Sequence, residues 1–570
     1  MLDIISAIAA FVCLLAAVFL PATGQTPPSY PSFDYDSARS HELKPHRSTI
    51  PLEGVQPGFN QLRITLVVSP TGDVVHADAS GGEVTEFWPK VRDEVNKWKF
   101  TPFEEGGKAV TAEIEEYVDL VPPERLPAEH VAAPVIRSDS KVKITLERTG
   151  CYGSCPGYTV TVTTDGIVFD GRYFVVAMGR HTDSVAPDEV RDLARRFIAA
   201  DFYSMDTVYR ARVTDNPTYI VGIVIDGHTK QVEDYVGSWV GMPAVIKELE
   251  DEVDTFARTQ RWVEGSEGLV SALQAEHFNF HSFDAQNMLK GCASRGETES
   301  VRELLEAGVP LKPIPAPKQK NPFGTGSFQA EGWLNAASSH PEVLQLLIDE
   351  GASENDQSDK DLALVGAASS GNLEAARALI AYGANPNADL SKLTVTESAG
   401  AMTFRGPGAG SVLIYAAESG NPEMVREILR YSPKPESRDR EGKTAMFAAG
   451  DYRYGDKDGA RVECVRLLAE AGANVNARDG EGNTPLHQTF LTDVEEELLK
   501  LGANVNARNN DGETPIFTTV DDAAIPLFID HGADLTIRNK KGQTVVEAAE
   551  EKGPQRQKAL REAIQKLSAP

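Results

Sequence analysis

The apolar residues in the first part of the chain follow strand spacing and helix spacing in turn. Residues 62–68 alternate between apolar and polar positions and lead into a polar turn at 69–72, which is typical of a β-hairpin. Apolar residues at helical spacing follow at 87–98, and a further alternating segment lies at 110–114. The order strand, strand, helix, strand predicts a small α+β domain over residues 61–122.

A second α+β domain is predicted after a proline-rich linker at 123–138. Alternating segments at 158–174 and 220–236 each contain a central Asp-Gly pair, which indicates two further hairpins. A segment with helical spacing of apolar residues follows each hairpin. These elements place the second domain at 139–262.

The rest of the chain repeats itself with a period of 30 residues. The sequence GANVN at 472–476 recurs at 502–506, and a weaker copy, GADL, lies at 532–535. The sequence TPLH at 484–487 recurs as TPIF at 514–517. A period of this length is typical of short helix pairs that stack on each other, because one pair cannot bury its own apolar face.

The TPLH and GANVN sequences together resemble the ankyrin repeat. We count about eight copies from 284 to 567, after a half repeat at 267–283. The resemblance implies an all-α solenoid over residues 264–570, and solenoids of this kind offer extended surfaces to protein partners. The predicted fold class is therefore multidomain, with two small α+β domains followed by an all-α ankyrin solenoid.

The first α+β domain resembles the C-terminal domain of the TonB energy-transducer family. The likeness covers about residues 45–122 and is carried by SPTGDV at 69–74, WKFTP at 98–102 and GGKAV at 106–110. It implies a domain that docks outer-membrane transporters by strand pairing. The chain departs from the family in its leader, which has no histidine, and in its spacer, which lacks long Lys-Pro and Glu-Pro repeats. It also continues far beyond the domain that normally ends the chain, so the resemblance supports the fold more than the energy role.

The second domain begins with TGCYGSCPGY at 149–158, which resembles the opening of an uncharacterised domain family of exported bacterial proteins with a CxGxCP motif. The resemblance implies a domain boundary and no activity. Cys151 and Cys155 are predicted to form a structural disulfide, because their short loop can close in an oxidising compartment. A redox-active pair is the alternative, although such pairs more often have CxxC spacing at a helix start. Cys292 and Cys464 lie in apolar helical faces and are predicted to stay buried and reduced.

An apolar leader precedes the first domain. Residues 4–20 are uncharged and apolar, and Pro21 and a small-residue site follow before Gln25. We interpret residues 1–24 as a signal peptide and residues 25–60 as a tether without a fold. At ~1.5 Å per residue the apolar run spans ~26 Å, which is short of a membrane core of ~30 Å. An exported, periplasmic protein is predicted, and an uncleaved inner-membrane anchor that faces the periplasm is the alternative.

The charge and the motifs limit the chemistry. The chain has 84 acidic and 56 basic residues, and the net charge of -28 disfavours nucleic acid and favours a basic partner or none. The sequence contains no HExxH, P-loop, GxSxG or EF-hand motif. We therefore expect no catalytic, cofactor or metal site and interpret the protein as a non-enzyme. His487 of the TPLH sequence is interpreted as a hydrogen-bonding residue of the repeat turn.

The leading hypothesis is a bacterial envelope protein that binds a protein partner through its ankyrin array. The turns between repeats, called fingers here, are expected to face outward. Arg478, Asp479, Asn509 and Asn510 at the finger tips are predicted to make few stacking contacts and to bind the partner. Two alternatives stay open. One is a TonB-like energy transducer or transport accessory protein, and the other is a thiol oxidoreductase that uses the cysteine pair.

The mature protein is predicted to begin at Gln25, because the apolar run is short and ends at a small-residue site. Mass spectrometry of the N-terminal peptide of the purified protein checks this. An N-terminal peptide that retains Met1 in washed membranes would instead support the anchored form and the transducer alternative.

Overall fold

The computed structural model describes ten segments of the chain, and the predicted signal peptide lies outside them. The described residues are 32–33, 49–56, 60–81, 87–105, 108–315, 332–388, 410–451, 459–519, 524–552 and 554–567. None of the helices in these segments has the length and apolar composition that a membrane crossing requires. The chain forms two compact units, one of residues 1–124 with 238–241 and one of residues 125–237 with 242–570.

The first unit contains a mixed β-sheet and a helix that shares its core. The elements are β1 (Ser32–Phe33), β2 (Thr49–Pro51), β3 (Gln61–Val68), β4 (Val74–Gly81), α1 (Trp88–Val95), β5 (Phe103–Glu105), β6 (Lys108–Val110) and β7 (Ala112–Val121). Strand β3 pairs antiparallel with β4 and with β7, whereas β1 and β2 pair with β7 in parallel. Strands β5 and β6 form a separate hairpin.

The alternation in β3 determines which face of the sheet is buried. Leu62, Ile64 and Leu66 are fully buried, and they share one core with Val91 and Val95 of α1. Because alternate side chains of a strand point to opposite faces, this single apolar face is the one that the helix covers.

The turn between β3 and β4 requires glycine at position 72. Gly72 has a φ of +83°, and a Cβ atom there would lie 1.8 Å from the carbonyl oxygen of Phe100. The amide of Phe100 donates a hydrogen bond of 2.9 Å to the carbonyl of Gly72. The SPTGDV turn therefore contacts the WKFTP run closely, backbone to backbone, at Gly72 and Phe100.

The segment predicted to be a tether is partly folded. Ser32–Phe33 and Thr49–Pro51 both lie within residues 25–60 and both pair with β7. The prediction is wrong at these positions because the outer edge of β7 offers backbone groups that extended chain can bond. Strands of two or three residues carry no alternation by which the sequence could reveal them.

The second unit begins with an α+β domain, and the predicted linker at 123–138 contains no helix or strand. The elements are β8 (Val142–Arg148), β9 (Gly157–Thr163), β10 (Gly166–Tyr173), β11 (Gly179–Asp183), α2 (Pro187–Ala199), β12 (Val208–Arg210), β13 (Tyr219–Ile225), β14 (His228–Tyr235), α3 (Ala244–Ala257) and α4 (Thr259–Val263). The strands form one sheet in the order β11-β10-β9-β8-β13-β14-β12. Helices α2 and α3 pack on β8 and β9.

The two edge strands of this sheet, β11 and β12, could not be predicted from the hydrophobic pattern of the sequence. Strand β11 buries only His181, a polar residue, and β12 has three residues. Neither therefore shows the apolar alternation that predicts a strand.

A helical solenoid completes the second unit. Helix α5 (Leu269–Ala275) precedes eight described helix pairs. These are α6 (Phe283–Ala293) with α7 (Thr298–Glu306), α8 (Trp333–Ala336) with α9 (Pro341–Asp349), α10 (Gln357–Ser369) with α11 (Leu373–Ala381), α12 (Val412–Glu418) with α13 (Pro422–Leu429), α14 (Ala445–Ala449) with α15 (Ala460–Glu470), α16 (Pro485–Gln488) with α17 (Thr492–Lys500), α18 (Pro515–Thr518) with α19 (Ile525–Asp530), and α20 (Val545–Lys552) with α21 (Pro554–Leu567). The predicted fold class, two small α+β domains followed by an all-α solenoid, is confirmed.

The helices of the solenoid stack in two rows. First helices such as α12 and α14 pack on each other, and second helices such as α15 and α17 do the same. Val465, Leu468, Val494 and Leu498 of the second row are fully buried between neighbouring pairs. The apolar face of each pair is therefore covered by the pairs beside it.

His487 fixes the start of a first helix. The amide of Thr484 donates to His487 Nδ1 at 3.1 Å, and His487 Nε2 lies 3.1 Å from the carbonyl oxygen of Glu513 in the next finger. Because a carbonyl only accepts, Nε2 carries the proton and Nδ1 is the acceptor. Burial lowers the pKa of His487 from an ordinary 6.5 to about 4. The interpretation of His487 as a hydrogen-bonding residue of the turn is confirmed.

The stability of this repeat is predicted to depend on pH through His487. The unfolded chain binds a proton at this residue below about pH 6.5, whereas the folded chain does so only below about pH 4. The contribution of neutral His487 to stability is therefore complete above about pH 6.5 and is lost as the pH falls toward about 4. His487→Gln keeps a hydrogen-bonding side chain but cannot titrate. Between about pH 7 and about pH 5 the wild type should lose about 2 kcal/mol more than this variant.

Amide hydrogen exchange of α16 and α17, corrected for intrinsic rates, measures this loss as a local opening free energy. His531→Gln, at an exposed histidine in the same array, is the control and should leave the pH dependence at the wild-type level. Equal pH dependence in wild type and His487→Gln would contradict the prediction.

Candidate functional site in the fingers of the ankyrin array

Arginines at equivalent positions bond each finger to the next. Arg438, Arg478, Arg508 and Arg538 each donate to the carbonyl of a glycine four residues later in the same finger. The first three also donate to the backbone carbonyl of the next arginine in the series, at 2.5, 2.7 and 2.8 Å. These side chains form a ladder of hydrogen bonds along the fingers and hold them in a fixed spacing.

Short polar side chains close the finger turns. The carboxylate of Asp479 accepts hydrogen bonds of 2.9 and 2.8 Å from two amides of its own turn, and Asn509 accepts two of 3.0 Å in the next finger. The amide group of Asn509 also donates to Asn483 Oδ1 at 2.9 Å, and that of Asn510 donates to the Gly480 carbonyl at 3.2 Å. Both of these bonds join one finger to the finger before it.

The prediction that Arg478, Asp479, Asn509 and Asn510 make few stacking contacts is therefore wrong. Three of them bond to a neighbouring finger, and Asp479 closes its own turn. The four residues are exposed or half-buried, yet their polar groups already have partners within the array. Contact of these residues with a binding partner stays a prediction, and substitutions here would change stability and binding together.

A cavity of about 470 Å³ opens between two other fingers. It lies between the finger that follows α11 and the finger that follows α13. Its wall includes Pro386, Asn387, Ser411, Pro433, Lys434 and Arg438. The hydroxyl of Ser411 is buried and has no hydrogen-bond partner among the described residues. The cavity thus holds a polar group that a ligand or partner side chain could satisfy.

Lys434 departs from the chemistry of the other fingers. The equivalent residues Asn385, Asn474, Asn504 and Asp534 each accept the backbone amide two positions later, at 2.9 to 3.0 Å. A lysine cannot accept this bond, and the ammonium group of Lys434 forms no ion pair within the described residues. The finger therefore presents an exposed cation at a place where four other fingers use the side chain to close the turn.

One feature of the sequence indicates this site, namely an irregular finger sequence that belongs to no catalytic or binding motif. Residues 432–437 have the sequence SPKPES where four other fingers have GANVN or a close copy. The departure marks the finger, but the cavity itself depends on side chains from two fingers about 45 residues apart and has no pattern within either one.

The cysteine motif forms a closed loop between β8 and β9. Cys151 and Cys155 are joined by a disulfide, and Cys292 and Cys464 are unbridged and buried, as predicted. The pair lies in a loop between strands and not at a helix start, which favours the structural interpretation of the disulfide over the redox one.

The glycines of the motif make room for Tyr173. A Cβ atom at Gly157 would lie 2.2 Å from the Tyr173 ring, and one at Gly150 would lie 2.6 Å from it. The Tyr173 hydroxyl accepts a hydrogen bond of 2.7 Å from the amide of Gly150. Tyr158 at the end of the motif donates to Asp254 of α3 at 2.8 Å. The motif therefore ties the disulfide loop to the sheet and to α3.

Helix α3 contains a buried carboxyl group that sequence reasoning missed. Glu250 is fully buried, and its two carboxyl oxygens have no hydrogen-bond partner among the described residues. Lys247 Nζ lies 3.5 Å from Oε2, and burial, with the nearby Asp234, raises the pKa of Glu250 to about 8. The run ELEDEVD at 248–254 has the composition of a solvated helix face, so the burial of Glu250 could not be predicted from the sequence. No cluster of three or more His, Cys, Asp or Glu residues in the described segments could hold a metal ion.

Comparisons with known proteins identify two of the three folded regions. The family described as a domain of unknown function, DUF6438, matches residues 142–257. Ankyrin repeats (3 copies) match residues 413–490, and a single ankyrin repeat matches 481–510. The chain therefore contains a DUF6438 domain and ankyrin repeats, and ankyrin repeats typically bind protein partners.

Solved structures also match part of the chain, and one of them is that of a predatory endopeptidase from Bdellovibrio bacteriovorus in complex with an immunity protein. The match has 28% identity and a TM-score of 0.28, and it covers 35% of this chain and 96% of the matched chain. No curated protein matches the chain.

The disulfide is predicted to stabilise the second domain. Cys155→Ser opens a five-residue loop and should lower the stability of the domain by about 2 kcal/mol, because the unfolded loop gains entropy. Thermal unfolding measures the loss. The double variant Cys151→Ser with Cys155→Ser is the control and should match the single variant, because neither contains the bridge. A reductant should lower the stability of the wild type only, and equal stability of wild type and variants would contradict the prediction.

Proposed function

We propose that this protein is a non-enzymatic, exported component of the bacterial envelope that binds a protein partner along the fingers of its ankyrin array. The ankyrin repeats support partner binding, because a solenoid presents a long and continuous surface. The apolar leader and the disulfide support an exported, oxidising location. The sequence, without a recognised catalytic motif, supports a binding role over an enzymatic one.

The observation that carries this proposal is Lys434 beside the cavity. Its finger replaces a turn-closing Asn or Asp with an exposed cation, and the adjoining cavity contains the Ser411 hydroxyl, which has no hydrogen-bond partner among the described residues. Arg438 of the same finger bonds it to the next finger through the Arg478 carbonyl, so this side of the cavity is arranged before the partner arrives and less freedom is lost on binding. Lys434 and the Ser411 hydroxyl can donate hydrogen bonds, so the site suits an acidic or hydrogen-bond-accepting side chain of a partner. The net charge of -28 on this chain favours a partner whose surface around that side chain is basic.

The proposal predicts that Lys434→Glu weakens partner binding at least about tenfold, a change of about 1.4 kcal/mol. The partner is first captured from envelope extracts with the full chain as bait, and the affinity of the purified pair is then measured by titration. Lys500→Glu is the matched control, because Lys500 is the last residue of α17, two helix pairs beyond the cavity, and pairs with Glu496 of the same helix. Its affinity should equal that of the wild type.

Circular dichroism of both variants establishes that the array is folded. Equal affinities of Lys434→Glu and wild type would exclude the cavity as the binding site and would move the site to another part of the chain.

A second candidate function rests on the first unit. Strand β4 pairs only with β3 in the described part of the sheet, and Val75 on it is 60% exposed. The resemblance to the TonB C-terminal domain suggests docking by strand pairing, for which an open sheet edge is required. In this unit β1 and β2 cover the edge of β7, so the pairing edge would be β4. Capture of outer-membrane transporters that Lys434→Glu does not weaken would favour this candidate.

A further inference from the structure

The N-terminal end of the ankyrin array is bonded to the DUF6438 domain. The amide of Val176 donates to the carbonyl of Val263 at 3.0 Å, and the amide of Ala177 donates to that of Trp262 at 2.8 Å. Val176 and Ala177 lie in the loop between β10 and β11, and both acceptors belong to α4. This loop is therefore held by backbone bonds to the helix that leads into the array.

The same loop fits against the first helix pair. A Cβ atom at Gly291 of α6 would lie 3.1 Å from the Val176 side chain, and one at Gly265 would lie 3.2 Å from it. Val176 is 3% exposed, so it fills the space that the two glycines leave. The guanidinium of Arg295, just after α6, donates to the carbonyl of Phe174 at 3.2 Å. Apolar packing and hydrogen bonding thus act at one junction.

A polar cluster joins the edge strand β11 to the residue that follows α5. The carboxylate of Glu276 accepts hydrogen bonds from the amide and the hydroxyl of Thr182, the second at 3.1 Å. Its other oxygen lies 2.9 Å from His181 Nδ1, which donates because a carboxylate only accepts. His181 is 4% exposed and stacks on Trp262 with ring centroids 4.5 Å apart. Loss of Glu276 would leave a buried N–H group without its acceptor.

These contacts lie where a preceding repeat would lie. Within the array, α8 packs between α6 and α10, and α9 packs between α7 and α11. Among the described helices, the first pair has another helix pair on one side only. On its other side the loop after β10 contacts α6, and α5 packs on α7.

We propose that the DUF6438 domain, together with α5, is the N-terminal cap of the ankyrin array. An end repeat exposes the apolar face that the next repeat would cover, and a solenoid needs an element at its end that covers this face. The proposal assigns a role to a domain whose family description gives none. It goes beyond partner binding and does not depend on it, since the cap stabilises the array in the absence of a partner.

Two buried thiols make the proposal measurable in the full-length protein. Cys292 lies in α6 at the junction, with Sγ 3.7 Å from the carbonyl oxygen of Gly265, and Cys464 lies in α15 of the fifth pair. Both are fully buried, so N-ethylmaleimide reacts with each only when its surroundings open. Digestion and mass spectrometry read the two labels separately, and non-reducing conditions keep the disulfide closed.

Val176→Asp places a charge in the junction without a change to any residue of the array. We expect Cys292 to react at least about tenfold faster and Cys464 to be accelerated less, because stability in a solenoid passes from neighbour to neighbour. Glu276→Ala is the second variant and should act in the same direction if Val176→Asp fails to fold. Val208→Asp is the matched control, because Val208 is 49% exposed on β12 at the opposite edge of the sheet. It should react like the wild type.

Unchanged labelling of Cys292 in Glu276→Ala and in any folded Val176→Asp sample would overturn the proposal. Equal acceleration of Cys292 and Cys464 would also overturn it, since the loss of stability would then be global and not centred on the end of the array.

Discussion

A helix pair of this array buries its apolar face only against the next pair, and most of the second unit depends on that requirement. The first helix Pro485–Gln488 has four residues, far fewer than the ~12–15 at which an isolated helix becomes marginal in water. Its stability comes from the pairs on either side and from the bonds that align them. The arginine ladder and the His487 bond to the next finger both serve this alignment. Repeated stacking demands repeated side chains, and this is why the period of 30 is so clear in the sequence.

A stack of similar helix pairs has two ends. The pair at each end has another pair on one side only, so a different element must cover the rest of its apolar face. At the N-terminal end the DUF6438 domain and α5 contact the first pair, and the contact is continuous across the boundary that the sequence suggests. Trp262 ends the predicted second domain and Val263 follows it, yet both accept hydrogen bonds from the loop after β10, and Gly265 two residues later contacts Cys292 of the array. A boundary between sequence families is therefore not a boundary in packing. A fragment cut near residue 264 would expose the apolar surface that this junction covers.

The features that could be predicted are those that a local or periodic pattern specifies. The hairpins, the helices of the α+β domains, the solenoid and the cysteine bridge all follow from spacing within short segments. Strands β1 and β2 and the edge strands β11 and β12 could not be predicted, because they exist only where a neighbouring edge offers free backbone groups. Glu250 could not be found either, since its burial results from packing of α3 and its sequence is that of a solvated helix.

The fingers show why exposure is a poor guide to a binding role. Arg478, Arg508 and Arg538 recur at the repeat period, and so do Asp479 and Asn509. A side chain that recurs at the period performs the same task in each repeat, and that task is bonding between fingers or closure of a turn. A side chain that a single partner recognises has no reason to recur, so residues that break the period are the better candidates.

Lys434 meets this condition, and the reason lies in what its finger loses. Asn385, Asn474 and Asn504 close their turns with a side-chain acceptor, and a lysine in the same place gives up that bond. A residue that gives up a stabilising bond and makes no other in its place is expected where function requires that residue. Such residues are usually found at functional sites. The adjoining cavity contains the Ser411 hydroxyl, which has no hydrogen-bond partner in the segments that the structure describes, and we propose that the requirement applies there. The ladder and this irregular finger are thus complementary in the proposal, because Arg438 bonds the finger to the next one and so holds it in the position in which we propose that it binds.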